Sequence, residues 1–166
     1  MQYLSSDNMQ EVFFMGEDCY NEPTDYGACP YATNIGRMAR QNTNFRTALW
    51  TGCNLQMTLM SIPRRGEIGV EIHEDTDQFI RVEQGQAMVM LGKCESRMDM
   101  RQGLMQGDAV FVPAGTWHNI INVGNCCLKV SSIYAPPHHP WGTVQQDKDE
   151  KKECMQEERC MYKEEY

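Results

Sequence analysis

Four side chains in this sequence have the types and the spacing of a metal site. In the segment 71–78 (EIHEDTDQ), Glu71 and His73 stand two residues apart. On a strand such residues share a face. A turn at 74–76 starts a second strand, on which Gln78 returns to that face. The segment 113–118 (PAGTWH) places His118 just after a tight turn that opens a further strand. Imidazole nitrogens converging with carboxylate and amide oxygens inside a barrel are a ligand set that suits a divalent transition metal. A barrel of this size also has room for one small ligand. The alternative is a site without metal, in which His73 and His118 are satisfied by hydrogen bonds.

Other residues have two readings each. Asp75 and Asp77 crowd the mouth near His73, where they would transfer protons or simply form a solvated turn. Glu83 falls on the opposite parity from Gln78 on one strand, so it is expected to face solvent. Arg64 and Arg65 follow Pro63 in a turn and would bind a phosphate or carboxylate, or be a surface pair. Trp50 and Trp117 would stack on a sugar or fill core. His138 and His139 lie in the rigid segment 136–140 (PPHHP), expected outside the barrel and without a metal role. Cys126 and Cys127 are expected on opposite faces of one strand, unable to bond each other without strain.

The elements that must position these groups are short. Runs at 46–51, 54–62, 67–73, 77–83, 86–91, 97–101, 109–112, 116–122 and 126–134 are apolar or alternating, and Gly, Pro and Asn separate them. None is long enough for a typical helix. Many short strands at this spacing predict an all-β sandwich or barrel. Three regions follow: an irregular N-terminal arm at 1–43, a barrel at 44–136 and a C-terminal extension at 137–166 that ends in a short helix or tail. Phe13, Phe14 and Tyr31 are candidates to anchor the arm.

The chain has 166 residues, which fits one domain. Its 41% hydrophobic and 23% charged residues allow a buried core and exclude a largely disordered chain. A net charge of −8 without a basic block argues against nucleic acid or an anionic membrane as partner. No apolar run is long enough to span a bilayer. Residues 1–7 show no basic region followed by an apolar stretch, so a signal peptide is not expected and a cytoplasmic location is. The eight Cys have irregular spacing and no CxxC pair, so reduced, mostly buried thiols are expected rather than zinc or a disulfide framework.

The spacing Gly107, Pro113, Gly115, His118, Asn122 matches the second motif of the cupins, and the sequence resembles that superfamily. Glu71, His73, Gln78 and Gly85 stand at the places of the first motif. Glu71 replaces its first His, Gln78 replaces its Glu, and the upstream Gly is one residue off at Gly66. The stretches 42–52, 77–86, 111–122 and 132–144 resemble small single-domain bacterial cupins labelled mannose-6-phosphate isomerase-like. The resemblance implies a double-stranded β-helix, a small jelly-roll barrel, with the metal inside. It also implies Glu71, His73, Gln78 and His118 as ligands of Zn²⁺, Mn²⁺, Fe²⁺ or Ni²⁺, since affinity order alone does not choose among them. The expected chemistry is isomerase-like, on a sugar or sugar derivative through a metal-stabilised enediolate, with Glu71 as the in-site carboxylate. An Fe²⁺ oxygenase and a non-catalytic small-molecule binder are the alternatives. Pairing of exposed sheet edges makes a homodimer the expected assembly.

Overall fold

Alternating runs separated by Gly and Pro fold as strands, as their period predicts. The computed structural model describes residues 25–148. In chain order these form α1 (Ile35–Gln41), β1 (Arg46–Thr51), β2 (Gln56–Ile62), β3 (Asp77–Gln84), β4 (Gln86–Gly92), β5 (Met100–Met105), β6 (Ala109–Val112), β7 (Trp117–Asn122), β8 (Leu128–Ala135) and β9 (Val144–Gln145). Two antiparallel sheets result, one ordered β6-β3-β8-β2-β1-β9 and one ordered β5-β4-β7. The architecture is the all-β jelly-roll barrel expected.

Register arranges the barrel interior in rows. Gln56 lies opposite Tyr134 and Tyr134 opposite Gln78. Two residues further along, Thr58, Ser132 and Ile80 form the next row; Met60, Val130 and Val82 form the one after. Ile62 opposite Leu128 closes that end. Polar side chains therefore occupy one end of the interior. The other end is the main hydrophobic cluster, which includes Met60, Ile62, Val82, Ala87, Val89, Ile120, Leu128 and Val130.

The outer face of the larger sheet is partly covered by α1. Asn34 caps this helix by accepting a hydrogen bond from the Arg37 backbone N–H at 2.9 Å. Ala39 packs with Leu49 and Leu59, and Tyr26, Tyr31, Ile35, Met38 and Met57 close around them. The arm is thus not wholly irregular, and Tyr31 anchors it, stacked on Tyr26 at 4.1 Å. Phe13 and Phe14, and the stretch from 149 on expected as a helix or tail, lie outside the described residues.

Four expectations are corrected here. Glu83 does face away from Gln78, but it is buried, accepting hydrogen bonds from Arg81 and from Ser131 Oγ at 2.7 Å. The helix roofs a face that strand parity alone assigns to solvent. The run 67–73 is no continuous strand: it touches β7 through isolated bridges at Glu67–Ile121 and Glu71–His118. Gly69, at φ 98°, breaks the ladder between them. Cys53, Cys94, Cys126 and Cys127 are exposed rather than buried, because they sit in connections between strands, and Cys29 is disulfide-bonded. Cys126 and Cys127 both precede β8 rather than straddling its faces.

Candidate metal centre

Glu71 and His118 are an antiparallel pair. The Glu71 N–H donates to His118 O at 3.0 Å and the His118 N–H returns the bond to Glu71 O at 2.9 Å. A pair of this type sets the two side chains next to each other on one face. His73, two residues beyond Glu71, falls on the same face. Its carbonyl accepts a hydrogen bond from the Gly115 N–H at 2.8 Å, which ties it to the turn preceding His118. That turn needs φ 74° at Gly115, a conformation glycine adopts without steric cost.

The three side chains converge. Glu71 Oε1 lies 3.5 Å from His73 Nε2 and 3.3 Å from His118 Nε2. One ligand atom from each of the three residues fits within a 4.8 Å span, a cluster that could hold a metal ion. All three atoms are buried without a hydrogen-bond partner of proper geometry. Buried polar atoms left in this state are costly, and a cation shared among them would satisfy all three. The His118 ring is oriented for that role, since Nδ1 lies 3.0 Å from the Thr116 carbonyl, which places its proton there and leaves the Nε2 lone pair inward.

Gln78 is also buried in the polar row. Its Nε2 donates to Ser132 Oγ at 2.9 Å, and its Oε1 has no partner. The amide oxygen is thus available as a neutral ligand atom. Thr58 Oγ1, Tyr134 OH and Arg46 Nε are further buried atoms without a partner. Tyr134 is raised above the usual phenol range by burial, so it remains a neutral donor.

Burial pushes the Glu71 carboxyl up, but the neighbouring imidazole nitrogens of His118 and His73 and the Arg46 charge outweigh it. The net effect holds the carboxyl far below the usual carboxylate range, so Glu71 is ionised.

The proline segment does not leave the barrel. His138 packs its ring 4.0 Å from that of His73, and the His139 ring lies 5.0 Å from Tyr134. A fully buried amide clamps this strap. Gln56 Oε1 accepts from the backbone N–H groups of His138 and His139 at 3.3 and 2.8 Å, while Nε2 donates to His139 O at 2.8 Å. The only sequence signal for this placement is the aromatic and histidine content of 134–141 (YAPPHHPW), which does not say which way the segment turns.

Asp75 and Asp77 are exposed and outside the three-residue cluster, and Asp77 Oδ1 accepts from the Ala114 N–H at 2.9 Å. Trp50 donates from Nε1 to Cys29 O at 2.7 Å, so it braces the arm. Arg64 and Arg65 are exposed in a turn, as a surface pair would be.

His139 yields a pH prediction. Burial, then the Arg46 and His138 charges, push its imidazole down to about 3. The unfolded chain, with an ordinary imidazole, binds the proton more tightly between that value and about 6.5. Stability is therefore complete above about pH 6.5 and falls as the pH is lowered, by about 2 kcal/mol at pH 5. Burial also lowers His138, which adds a loss of the same sign. Glu71 adds almost no pH dependence above pH 5, because the stabilisation from its lowered carboxyl is already present above the ordinary carboxylate range and is lost only below it. Urea unfolding of wild type and His139→Asn at pH 7.5 and 5 should show the variant losing clearly less on acidification. Equal losses would remove His139 as the cause.

The fold matches a family. A cupin-domain profile matches residues 58–134, and the chain belongs to the cupin family. The uncharacterized protein YrkC of Bacillus subtilis is 52% identical over 124 residues, which cover 75% of this chain and 67% of YrkC. The crystal structure of BH2720 from Bacillus halodurans aligns with a TM-score of 0.75 at 48% identity, over 76% of this chain and 96% of that one. KdgF from Halomonas sp. aligns with a TM-score of 0.50 at 24% identity, over 56% of this chain and 80% of that one. At that identity the likeness to KdgF is one of fold, which does not fix a reaction. Among the described residues no helix is long and apolar enough to cross a membrane.

Proposed function

We propose that this protein is a metal-dependent cupin that acts on a small polar molecule, with Glu71, His73, Gln78 and His118 as ligands. Its chemistry is isomerase-like proton transfer on a sugar or sugar derivative. The observation that supports this most is the convergence of Glu71 Oε1, His73 Nε2 and His118 Nε2, all buried and unpartnered. A divalent ion held there would polarise an oxygen of the bound molecule and acidify the adjacent C–H. The chain's own residues fix the remaining terms. Thr116 sets the His118 tautomer, Ser132 accepts from the Gln78 amide N–H and leaves its buried oxygen unpaired, and Glu71 is the ionised carboxylate of the site. The resemblance of 42–52, 77–86, 111–122 and 132–144 to cupins labelled mannose-6-phosphate isomerase-like suggests this substrate class. A cytoplasmic homodimer belongs to the same proposal.

A second reading has its own support. The three converging residues are two histidines and one carboxylate, the ligand set of non-haem Fe²⁺ oxygenases. One experiment separates the two. Protein purified without added metal is expected to carry about one transition-metal ion per chain, by elemental analysis, as a single site of this type implies. Incubated with mannose 6-phosphate in D₂O, it should incorporate deuterium into the sugar without consuming oxygen. Oxygen uptake that depends on Fe²⁺ would favour the oxygenase. A rise in melting temperature without turnover would leave a binding protein.

A further inference from the structure

The barrel interior holds a buried cation that the metal site does not use. Arg46, on β1, lies opposite Met60 of β2, whose row continues through Val130 and Val82. All three belong to the hydrophobic cluster, so Arg46 shares their inward face. Only 8% of it is exposed. A guanidinium carries five N–H donors in a rigid fork. Here Nη1 donates to Gln145 Oε1 at 2.8 Å, Nη2 reaches only the Met60 sulfur at 3.8 Å, and Nε has no partner. Among the described residues no carboxylate lies within 4 Å of it. A buried charge is normally paired, because leaving it so poorly compensated opposes folding.

We infer that Arg46 is the anchor for a carboxylate group of the molecule bound at the candidate metal centre. The inference rests on the metal-dependent reading and narrows its substrate class to small hydroxy or oxo acids, aldonates and uronates included. Charge balance supports it. A divalent ion held by Glu71 and neutral ligands leaves one positive charge in the site, and Arg46 adds a second, so an anionic occupant is favoured over a neutral sugar. By register Arg46 stands one row from Thr58 and Ser132 and two rows from Gln78 and Tyr134, so its long side chain starts next to the polar end. The unpartnered Thr58 Oγ1 and Tyr134 OH supply hydroxyls for the rest of a polyhydroxy acid. A guanidinium fork suits a carboxylate better than a lysine would, because both oxygens can be bound at once.

The test uses glycolate and its neutral analogue glycolamide as probes, by calorimetry on the protein as purified, with metal content measured on the same samples. Wild type should bind glycolate more tightly. Arg46→Met should lose about 10- to 100-fold in glycolate affinity, as expected for a charge-assisted hydrogen-bonded pair, while glycolamide affinity and metal content stay unchanged. Arg46→Lys keeps a charge in the barrel and loses the fork, so it should fall between the two; it also decides the matter if the methionine variant does not fold. Glycolate binding unchanged in Arg46→Met or Arg46→Lys overturns the inference and leaves the metal centre standing. Loss of metal together with glycolate overturns it too, since Arg46 would then act through Glu71. Wild type without metal would overturn the metal reading instead, and there the preference for glycolate and its dependence on Arg46 still decide this inference.

Discussion

The His73→Ala protein is expected to lose its bound metal on purification, with affinity lowered by more than about 100-fold. Outer-shell partners of metal ligands are worth about 10- to 100-fold each, and a direct ligand exceeds that. Of the proposed ligands His73 has the least alternative role, because both its ring nitrogens are buried and neither makes a hydrogen bond. Removing it leaves Glu71 and His118 joined by their backbone pair, so the fold has little reason to change. Wild type should melt lower after chelation, since a metal at 100 times its dissociation constant contributes about 2.7 kcal/mol. The variant should melt at one temperature with or without chelator. Metal retained at one ion per chain in His73→Ala would contradict the ligand assignment.

Gln56→Ala is expected to be the most destabilising change at the mouth, at about 3 kcal/mol or more. One amide side chain donates to Thr51 Oγ1 and His139 O and accepts from the His138 and His139 backbones. Alanine would leave the strap's backbone groups unpaired, and each buried polar group so orphaned costs about 1–3 kcal/mol. Urea unfolding reads the loss directly. A loss under about 1 kcal/mol would mean that the strap is held mainly by its other ties, Trp141 to the Gly27 carbonyl and the Gly142 N–H to Asp25.

The strands of the barrel are legible because a half-buried strand must alternate and must stop at Gly or Pro. Glu71, His73 and His118 are legible for a related reason: their meeting depends on local spacing and on one tight turn at Gly115. What escapes the sequence depends on partners far along the chain. β9 is two residues long and exists because it pairs with Arg46 and Thr47 across about a hundred residues. α1 has seven residues and buries only Ala39 among them, so it carries almost no hydrophobic period. Arg46 breaks the pattern itself. A charged residue at the start of RTALWT reads as an outward position, and only the register with Met60 turns it inward. His138 and His139 needed the clamp at Gln56, a contact across 82 and 83 positions, before the direction of the proline segment had any meaning.

The rows inside the barrel divide labour along single strands. On β2, β3 and β8 the same chain supplies chemistry at one end and cohesion two to four residues later. Gln78 stands two rows from Val82, and Thr58 and Ser132 stand two rows from Ile62 and Leu128, so exchanges at the polar end couple weakly to the apolar end. A scaffold built this way lets a lineage trial new ligand sets while its folding free energy stays nearly constant. Glu71 and Gln78, standing where the cupin pattern places His and Glu, lie at the end of the interior where such exchanges disturb the core least.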